Sequence, residues 1–253
     1  MPSLFEIAAA GIMGALIGSF LNVVIWRLPR DESLVSPGSR CPSCERPIAP
    51  YDNLPVVSWL LLRGRCRNCR APISPRYPLV ELVTALAFAA VVAARGFDSG
   101  LVLELPFVAA LIALAGIDYD HKLLPNRIVY PMAAYGLVAT VLVDRDDLVE
   151  NLIAGAAGFL FLFVALVAYP RGMGMGDVKL AGAIGLYLGL SIIPSLLIAF
   201  LSGSVAGLVI IGREGVQARK KAIPFGVFLA LGAIAGLLAG PELIELYEEN
   251  FLS

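Results

Sequence analysis

The stretch LFEIAAAGIMGALIGSFLNVVIW, residues Leu4 to Trp26, holds one charged side chain, Glu6. A helix needs about 20 predominantly apolar residues to cross the hydrocarbon of a bilayer, and this stretch is long enough. Arg27 and Arg30 follow it, and no Lys or Arg precedes it. A signal peptide has the opposite polarity, with its basic residues in front. The stretch is therefore expected to stay in the chain as a first membrane span.

Working outward from it, further apolar runs lie at Leu79–Ala94, Leu101–Ile117, Ile128–Val143, Leu148–Tyr169, Leu180–Leu190, Ser191–Ile211 and Ile223–Gly240. The fold class expected is an all-α polytopic membrane protein of about eight transmembrane helices. Composition agrees. The 253 residues are 58% hydrophobic and 15% charged, with a mean hydropathy of +0.83, whereas a soluble domain is about 25% charged. The run Leu180–Leu190 is short for a full span. Pro194 is expected in the first turn of its helix, where proline is tolerated. Small residues four apart (Gly11 and Ala15, Gly203 and Gly207, Gly232 and Gly236) suit close helix packing.

Charge sets the orientation. Cytosolic loops of membrane proteins carry an excess of Lys and Arg. With segment 27–78 placed in the cytosol, 17 of the 19 Lys and Arg fall on that side: nine in 27–78, two in 118–127, two in 170–179 and four in 212–222. The other side keeps Arg95 and Arg145 and collects acidic residues, Asp144, Asp146 and Asp147, then Glu242, Glu245, Glu248 and Glu249. Both termini are then expected outside. The net charge of −1 points to no partner, and no nucleic-acid partner is expected. The single histidine, His121, excludes HExxH metalloproteases and all-histidine metal sites.

Segment 27–78 carries Cys41-Pro-Ser-Cys44 and Cys66-Arg-Asn-Cys69, with 21 residues between the pairs. Two C-x-x-C pairs supply the four thiolates of a closed, structural Zn²⁺ site, and Arg40, Arg65, Arg67 and Arg70 favour thiolate over thiol. Two disulfides are the alternative, which a reducing cytosol opposes. Between the pairs, Ile48–Leu62 either packs on the metal site or lies on the membrane surface.

Ionisable residues at the ends of apolar spans are costly and tend to be functional. Asp118 closes the third span in Ala115-Gly-Ile-Asp118-Tyr-Asp120-His121. Asp177 stands in Gly172-Met-Gly-Met-Gly176-Asp177-Val-Lys179, just before the sixth. Both belong on the cytosolic border, on separate helices. Two facing carboxylates share one proton, so one deprotonates water while the other polarises a peptide carbonyl. The plain alternatives are solvated surface charge, as for Asp120, or an ion pair of Asp177 with Lys179. Neighbours two apart on a helix do not face each other, which opposes the pair. The glycine-rich run lacks the spacing of a phosphate loop.

These residues resemble the type IV prepilin leader peptidases, a bacterial branch of the GxGD intramembrane aspartyl proteases. The resemblance is carried in order by Gly18-Ser-Phe-Leu-Asn22-Val-Val-Ile-Trp-Arg27-Leu-Pro29, the two cysteine pairs, Arg76-Tyr-Pro-Leu-Val-Glu81-Leu, Ile117-Asp118-Tyr-Asp120-His-Lys-Leu-Leu-Pro125-Asn126, Gly174-Met-Gly176-Asp177-Val-Lys179 and Ile223-Pro-Phe-Gly226. It implies Asp118 and Asp177 as the catalytic pair, a bacterial inner-membrane location, and cleavage of the short basic leader of type IV prepilins or type II secretion pseudopilins. In many members S-adenosylmethionine-dependent N-methylation of the new N-terminus follows. The resemblance links methyl transfer to the N-terminal half, residues 1–94, and peptidase activity to 95–253. Asn22, Arg27 and Glu81 are the candidates for the methyl-transfer site. Their plain alternatives are a helix end, a snorkelling side chain and an ion pair. Only 11 residues separate Pro29 from Cys41, where many relatives carry more. That departure leaves cleavage expected and methyl transfer less so. A peptidase without methyl transfer, a proton-coupled carrier using the same carboxylates, and a zinc-bearing scaffold are the competing readings. Inverted repeats would favour a carrier, and no internal repeat stands out.

Overall fold

The computed structural model describes residues 2–143, 145–170, 172–215 and 223–251. Asp144, Arg171, Arg219, Lys220 and Lys221, used in the charge argument above, lie outside the described residues. Among the described residues every regular element is helical, apart from two isolated bridges in the cysteine segment. The chain divides into two compact units, Met1–Phe97 and Asp98–Ser253.

In the first unit, α1 (Leu4–Arg27) and α3 (Arg76–Arg95) are the two spans, with the five-residue α2 (Val57–Leu61) in the connection. Glu6, the one charge inside the first apolar stretch, caps α1. Its carboxylate accepts the Ser3 N–H at 2.6 Å while Ser3 Oγ accepts the Glu6 N–H at 3.3 Å, a reciprocal capping box. The tightest seam between α1 and α3 runs through Gly14 and Gly18 rather than Gly11 and Ala15. A Cβ on Gly14 would stand 2.6 Å from the Thr84 carbonyl, and one on Gly18 would stand 2.7 Å from Glu81 Cα. At Gly11 the nearest atom is an ordinary 3.7 Å away. The seam tightens towards the cysteine segment, where Asn22 Nδ2 donates to the Tyr77 carbonyl at 3.1 Å.

The second unit is a six-helix bundle: α4 (Leu101–His121), α5 (Asn126–Val143), α6 (Leu148–Ala168), α7 (Met175–Leu188), α8 (Ile192–Glu214) and α9 (Phe225–Phe251). Its centre is Phe107, Leu111, Leu114 and Ile117 of α4 with Leu180 and Ile184 of α7 and Leu229 of α9, all fully buried. Phe107 stacks on Tyr187 at 4.2 Å, and the Tyr187 hydroxyl donates to the Met132 carbonyl at 2.6 Å, tying α4, α7 and α5 together. The outward faces are apolar too, with Leu160, Val164, Leu197, Leu201 and Leu208 more than half exposed. Apolar groups on both faces make a helix suited to lipid.

Among the described residues, seven helical stretches are long and apolar enough to cross a membrane. One of them, Met175–Glu214, is 40 residues long and contains both α7 and α8, parted by a turn at Gly189 whose φ is +52°. The apolar segments anticipated from the sequence therefore all appear as helices, and the short one is the 14-residue α7. Pro194 lies in the first turn of α8, as expected. Gly232 and Gly236 press against Ser195 so closely that no Cβ fits, while Gly203 and Gly207 make ordinary contacts at 3.4 and 3.5 Å. The register of α6 against α7 is fixed by small residues. A Cβ on Gly158 would meet the Ala181 carbonyl at 3.0 Å, and one on Gly185 would meet the Ala154 carbonyl at 2.5 Å. Several helices outrun their apolar segments, α4, α7 and α9 by four residues or more at one end: α4 continues through His121, α7 begins at Met175, and α9 runs on through Glu242–Glu249.

Candidate active site and metal centre

Helix α4 ends where Lys122 turns left-handed, at φ +52°, with its N–H on the Asp118 carbonyl at 2.8 Å. Asp118 therefore projects from the last turn of α4. Asp177 is the third residue of α7, within the helix rather than before it. Its Oδ2 accepts the Gly174 N–H at 2.9 Å, and its own N–H reaches the Gly174 carbonyl at 3.1 Å. The carboxylate thus takes up one of the amides that every helix start leaves unpaired, and this is why Gly174-Met-Gly-Asp177 folds as a first turn.

The bundle brings the two aspartates together. Asp118 is 5% exposed and Asp177 8%, and the two carboxylates lie within electrostatic range of each other. The first backbone amides of α9, those of Gly226 and Val227, lie beside the Asp118 carboxylate, whose Oδ2 is buried without a hydrogen-bond partner. Leu124 wedges between the helix starts: a Cβ on Gly226 would come within 2.9 Å of both Asp118 Oδ2 and Leu124 Cδ2, and one on Gly176 within 3.0 Å of Leu124 Cβ. Gly174 is different, since a Cβ there would meet nothing closer than Asp177 Oδ2 at 3.6 Å. A side chain at Gly174 would therefore make only ordinary contacts beside Asp177.

Asp120 is exposed, unlike the buried pair. Lys179 does not pair with Asp177. Its Nζ donates to Asn126 Oδ1 at 3.2 Å and lies 5.2 Å from the centre of the Tyr130 ring, joining the start of α7 to the start of α5. Gly226, Leu124 and the Lys179–Asn126 bond were not singled out as site residues in the sequence. Their only mark there is membership of the Leu-Pro-Asn and Ile-Pro-Phe-Gly words. Gly226→Ala is expected to leave a folded protein but to lower peptide cleavage by about 10²-fold, the cost of displacing a reacting group by about 1 Å. A gel assay of substrate processing reads this, and unchanged processing would show that α9 does not set the Asp118 geometry.

In the first unit, Asn22, Arg27 and Glu81 each hold backbone. Asn22 Nδ2 donates to the carbonyls of Gly18 (3.3 Å) and Tyr77 (3.1 Å), and Arg27 donates from Nη1 to Ser33 O at 2.8 Å and from Nη2 to Pro37 O at 2.7 Å. Glu81 Oε2 accepts the Val56 N–H at 2.7 Å. Val56 sits at φ +60°, a backbone conformation that costs a β-branched residue of order 1–3 kcal/mol. Arg27 also lines a cavity of about 280 Å³ with Ser19, Phe20 and Asn53. Asn22 and Glu81 are turned to their backbone partners instead.

The four cysteines are free thiols, and their Sγ atoms all lie within 4.8 Å of one another. Cys41 Sγ and Cys69 Sγ are 3.7 Å apart. A tetrahedral ion about 2.3 Å from each sulfur gives edges of about 3.8 Å, so the four can hold a metal. The backbone amides of Cys44 and then Ser43 aim at the Cys41 sulfur and hold its thiol down to about 6. The two pairs are copies of one turn, 25 residues apart, a repeat not noticed in the sequence. Arg40-Cys41-x-x-Cys44-x-x-Pro47-Ile48 matches Arg65-Cys66-x-x-Cys69-x-x-Pro72-Ile73. In each, the first cysteine N–H bonds five residues ahead, to Arg46 O at 3.0 Å and to Ala71 O at 2.8 Å. In each, the residue after the second cysteine, Glu45 or Arg70, is left-handed.

Residues 12–95 match the bacterial peptidase A24 N-terminal domain, and residues 105–212 match the type IV leader peptidase family. A prepilin leader peptidase/N-methyltransferase of Aeromonas hydrophila is 39% identical over 95% of this chain and 93% of its own length. The chain belongs to the type IV leader peptidase family. Proteins of the same name from Pseudomonas aeruginosa (35% identical over 93% of this chain and 91% of the relative) and Myxococcus xanthus (40% over 81% and 64%) are also similar. No solved structure matches. The two family matches cover parts of both units, and both buried aspartates fall inside the second match.

Proposed function

We propose that the chain removes the leader peptide of type IV prepilins or pseudopilins with Asp118 and Asp177, and then N-methylates the exposed N-terminus using S-adenosylmethionine. The observation that carries the peptidase reading is the buried pair of carboxylates on separate helices in a chain of this family. One carboxylate takes a proton from water as the oxygen attacks the scissile carbonyl carbon. The other donates its proton to the carbonyl oxygen, and the leaving amine then takes a proton from the pair. Neither step calls on a metal ion or a histidine.

Unit 98–253 then carries the peptidase and unit 1–97 the methyl transfer. S-adenosylmethionine, when bound, supplies the methyl group. The cavity beside Arg27, Ser19 and Asn53 is the site favoured for it, and Asn22 and Glu81 act there by bracing its walls. Zn²⁺ on Cys41, Cys44, Cys66 and Cys69 is structural, since no ligand position stays open. Incubating a purified prepilin with the purified protein, with and without S-adenosylmethionine, and weighing the product tests both activities at once. Loss of the leader mass with no methyl added would leave a peptidase alone.

The excess of Lys and Arg beside the carboxylates supports a cytosolic active site in a bacterial inner membrane. A single cysteine introduced at Asn126, in a chain whose metal ligands are protected, is expected to react with an impermeant thiol reagent in inverted vesicles and not in intact cells. Labelling from outside intact cells would reverse the topology.

A further inference from the structure

The segment between the cysteine pairs has features that neither the metal nor the aspartates use. One is an apolar edge: Leu54 and Val57 are each 52% exposed, Leu60 60% and Leu61 77%. The polar groups of the same stretch are paired internally. Glu81 takes the Val56 N–H, Ser58 Oγ accepts the Leu54 N–H at 3.1 Å and donates to the Tyr51 carbonyl at 2.9 Å, and Trp59 Nε1–H reaches the Ile73 carbonyl at 3.1 Å. A segment that pairs its own polar groups and turns leucines outward suits a medium without hydrogen-bond partners.

Depth is the next feature. Glu81, which holds the start of α2, is five residues into α3, about 7 Å along the helix axis from Arg76. The α2 turn therefore lies level with the apolar spans rather than out in water. Charge is the third. Arg63, Arg65, Arg67 and Arg70 line a cavity of about 660 Å³ with Leu61 and Leu62. Arg67 is engaged by Asp52, with Nε to Oδ2 at 2.8 Å and Nη2 to Oδ1 at 2.6 Å, and this pairing holds the Asp52 carboxyl below its ordinary range. Arg63, Arg65 and Arg70 are exposed and make no ion pair among the described residues.

We propose that this edge anchors the cysteine segment in the bilayer surface, with Leu54, Val57, Leu60 and Leu61 in the acyl boundary and Arg63, Arg65 and Arg70 on the phosphates of anionic phospholipids. Segment 27–78 holds nine basic residues against four acidic ones, Asp31, Glu32, Glu45 and Asp52, so its charge complements an anionic leaflet. The guanidinium fork matches a phosphate better than an ammonium does. Leucines beside arginines at the level of the helix ends follow the polarity profile of a headgroup region. The anchor rests on α1 and α3 spanning a membrane and not on the peptidase reading, so either can fail alone.

Native mass spectrometry of the full chain, released from micelles containing equal phosphatidylglycerol and phosphatidylcholine of the same acyl chains, tests the arginines. Wild type is expected to retain phosphatidylglycerol preferentially. Each arginine near an anionic surface contributes about fivefold, so R63Q/R65Q/R70Q should lower that preference by up to about 10²-fold, while R63K/R65K/R70K keeps part of it. Equal retention of the two lipids by wild type, an undiminished preference in the glutamine variant, or a lysine variant as indifferent as the glutamine one would overturn the proposal. A benzoylphenylalanine at Leu61 of the full chain in nanodiscs is expected to crosslink to lipid. Crosslinks only to a second copy, or only to another protein, would make the edge a protein interface and overturn it equally.

Discussion

Replacing Asp118 or Asp177 by asparagine is expected to stop leader removal while the protein stays folded in the membrane. An amide cannot take a proton from water, and removing either carboxylate leaves the other with no group to share its proton. Loss of general acid–base catalysis alone costs about 10²–10⁴-fold, and losing the pair's joint action adds to that. The side chains are nearly the same size, so the seats beside Gly226 and Gly174 should still be filled. Cleavage of a purified prepilin, followed by gel shift and normalised to protein that elutes like wild type, gives the result. Asp120→Asn should cleave close to normally, because Asp120 is exposed and outside the buried pair. Near-normal cleavage by Asp118→Asn or Asp177→Asn would remove that residue from the chemistry, and a dead Asp120→Asn would move the assignment to the neighbouring aspartate.

Cys66→Ser is expected to empty the metal site and unfold its surroundings. Structural Zn²⁺ contributes about 10–16 kcal/mol of apparent binding free energy at neutral pH, far more than the few short turns of this segment could supply without it. Cys66 is 8% exposed, and its N–H and carbonyl anchor the second turn to Ala71 and Arg70. Elemental analysis of wild type should find about one zinc per chain, and the variant far less. Limited trypsin digestion should cut the variant within 40–70, where six arginines wait, and spare the wild type. Equal zinc and equal resistance in the two proteins would show that the sulfurs hold no structural metal.

The spans were legible because each is an uninterrupted apolar run with punctuation at its ends, and the bilayer tolerates little else. Helix limits were less so. The start of α7 depends on the Asp177 carboxylate reaching back to the Gly174 amide, a bond that hydropathy does not register. The two aspartates stand 59 residues apart in the sequence, and no local period relates them. Their pairing was suggested by topology and by resemblance, and it is the packing of α4, α7 and α9 that brings them within electrostatic range of each other. Gly226 illustrates what remained hidden. A glycine in the first turn of an apolar helix is unremarkable until that turn proves to stand against a carboxylate. Glu81 was singled out for methyl transfer, yet its visible work is to hold the strained Val56 amide. A backbone N–H has no letter in the sequence, so that role could not be read. The repeated Arg-Cys-x-x-Cys-x-x-Pro-Ile stands in the letters; what they do not carry is that each copy closes the same turn, with the residue after its second cysteine left-handed.

Helix α7 is 14 residues long, about 21 Å, against about 30 Å of hydrocarbon. The close approaches of Gly158 to Ala181 and of Gly185 to Ala154 place Asp177 opposite Leu162, and α6 continues for six more residues to Ala168, about 9 Å further. The Asp177 carboxylate is thus recessed below the end of α6. Hydrolysis consumes a water for every peptide cut, and hydrocarbon holds almost none. By the same register α7 stops four residues short of α6 at this end and three short at the other, so on the proposed reading the lipids beside it thin at both faces to match. On that reading the second reactant reaches Asp177 where the bilayer thins to meet the short helix.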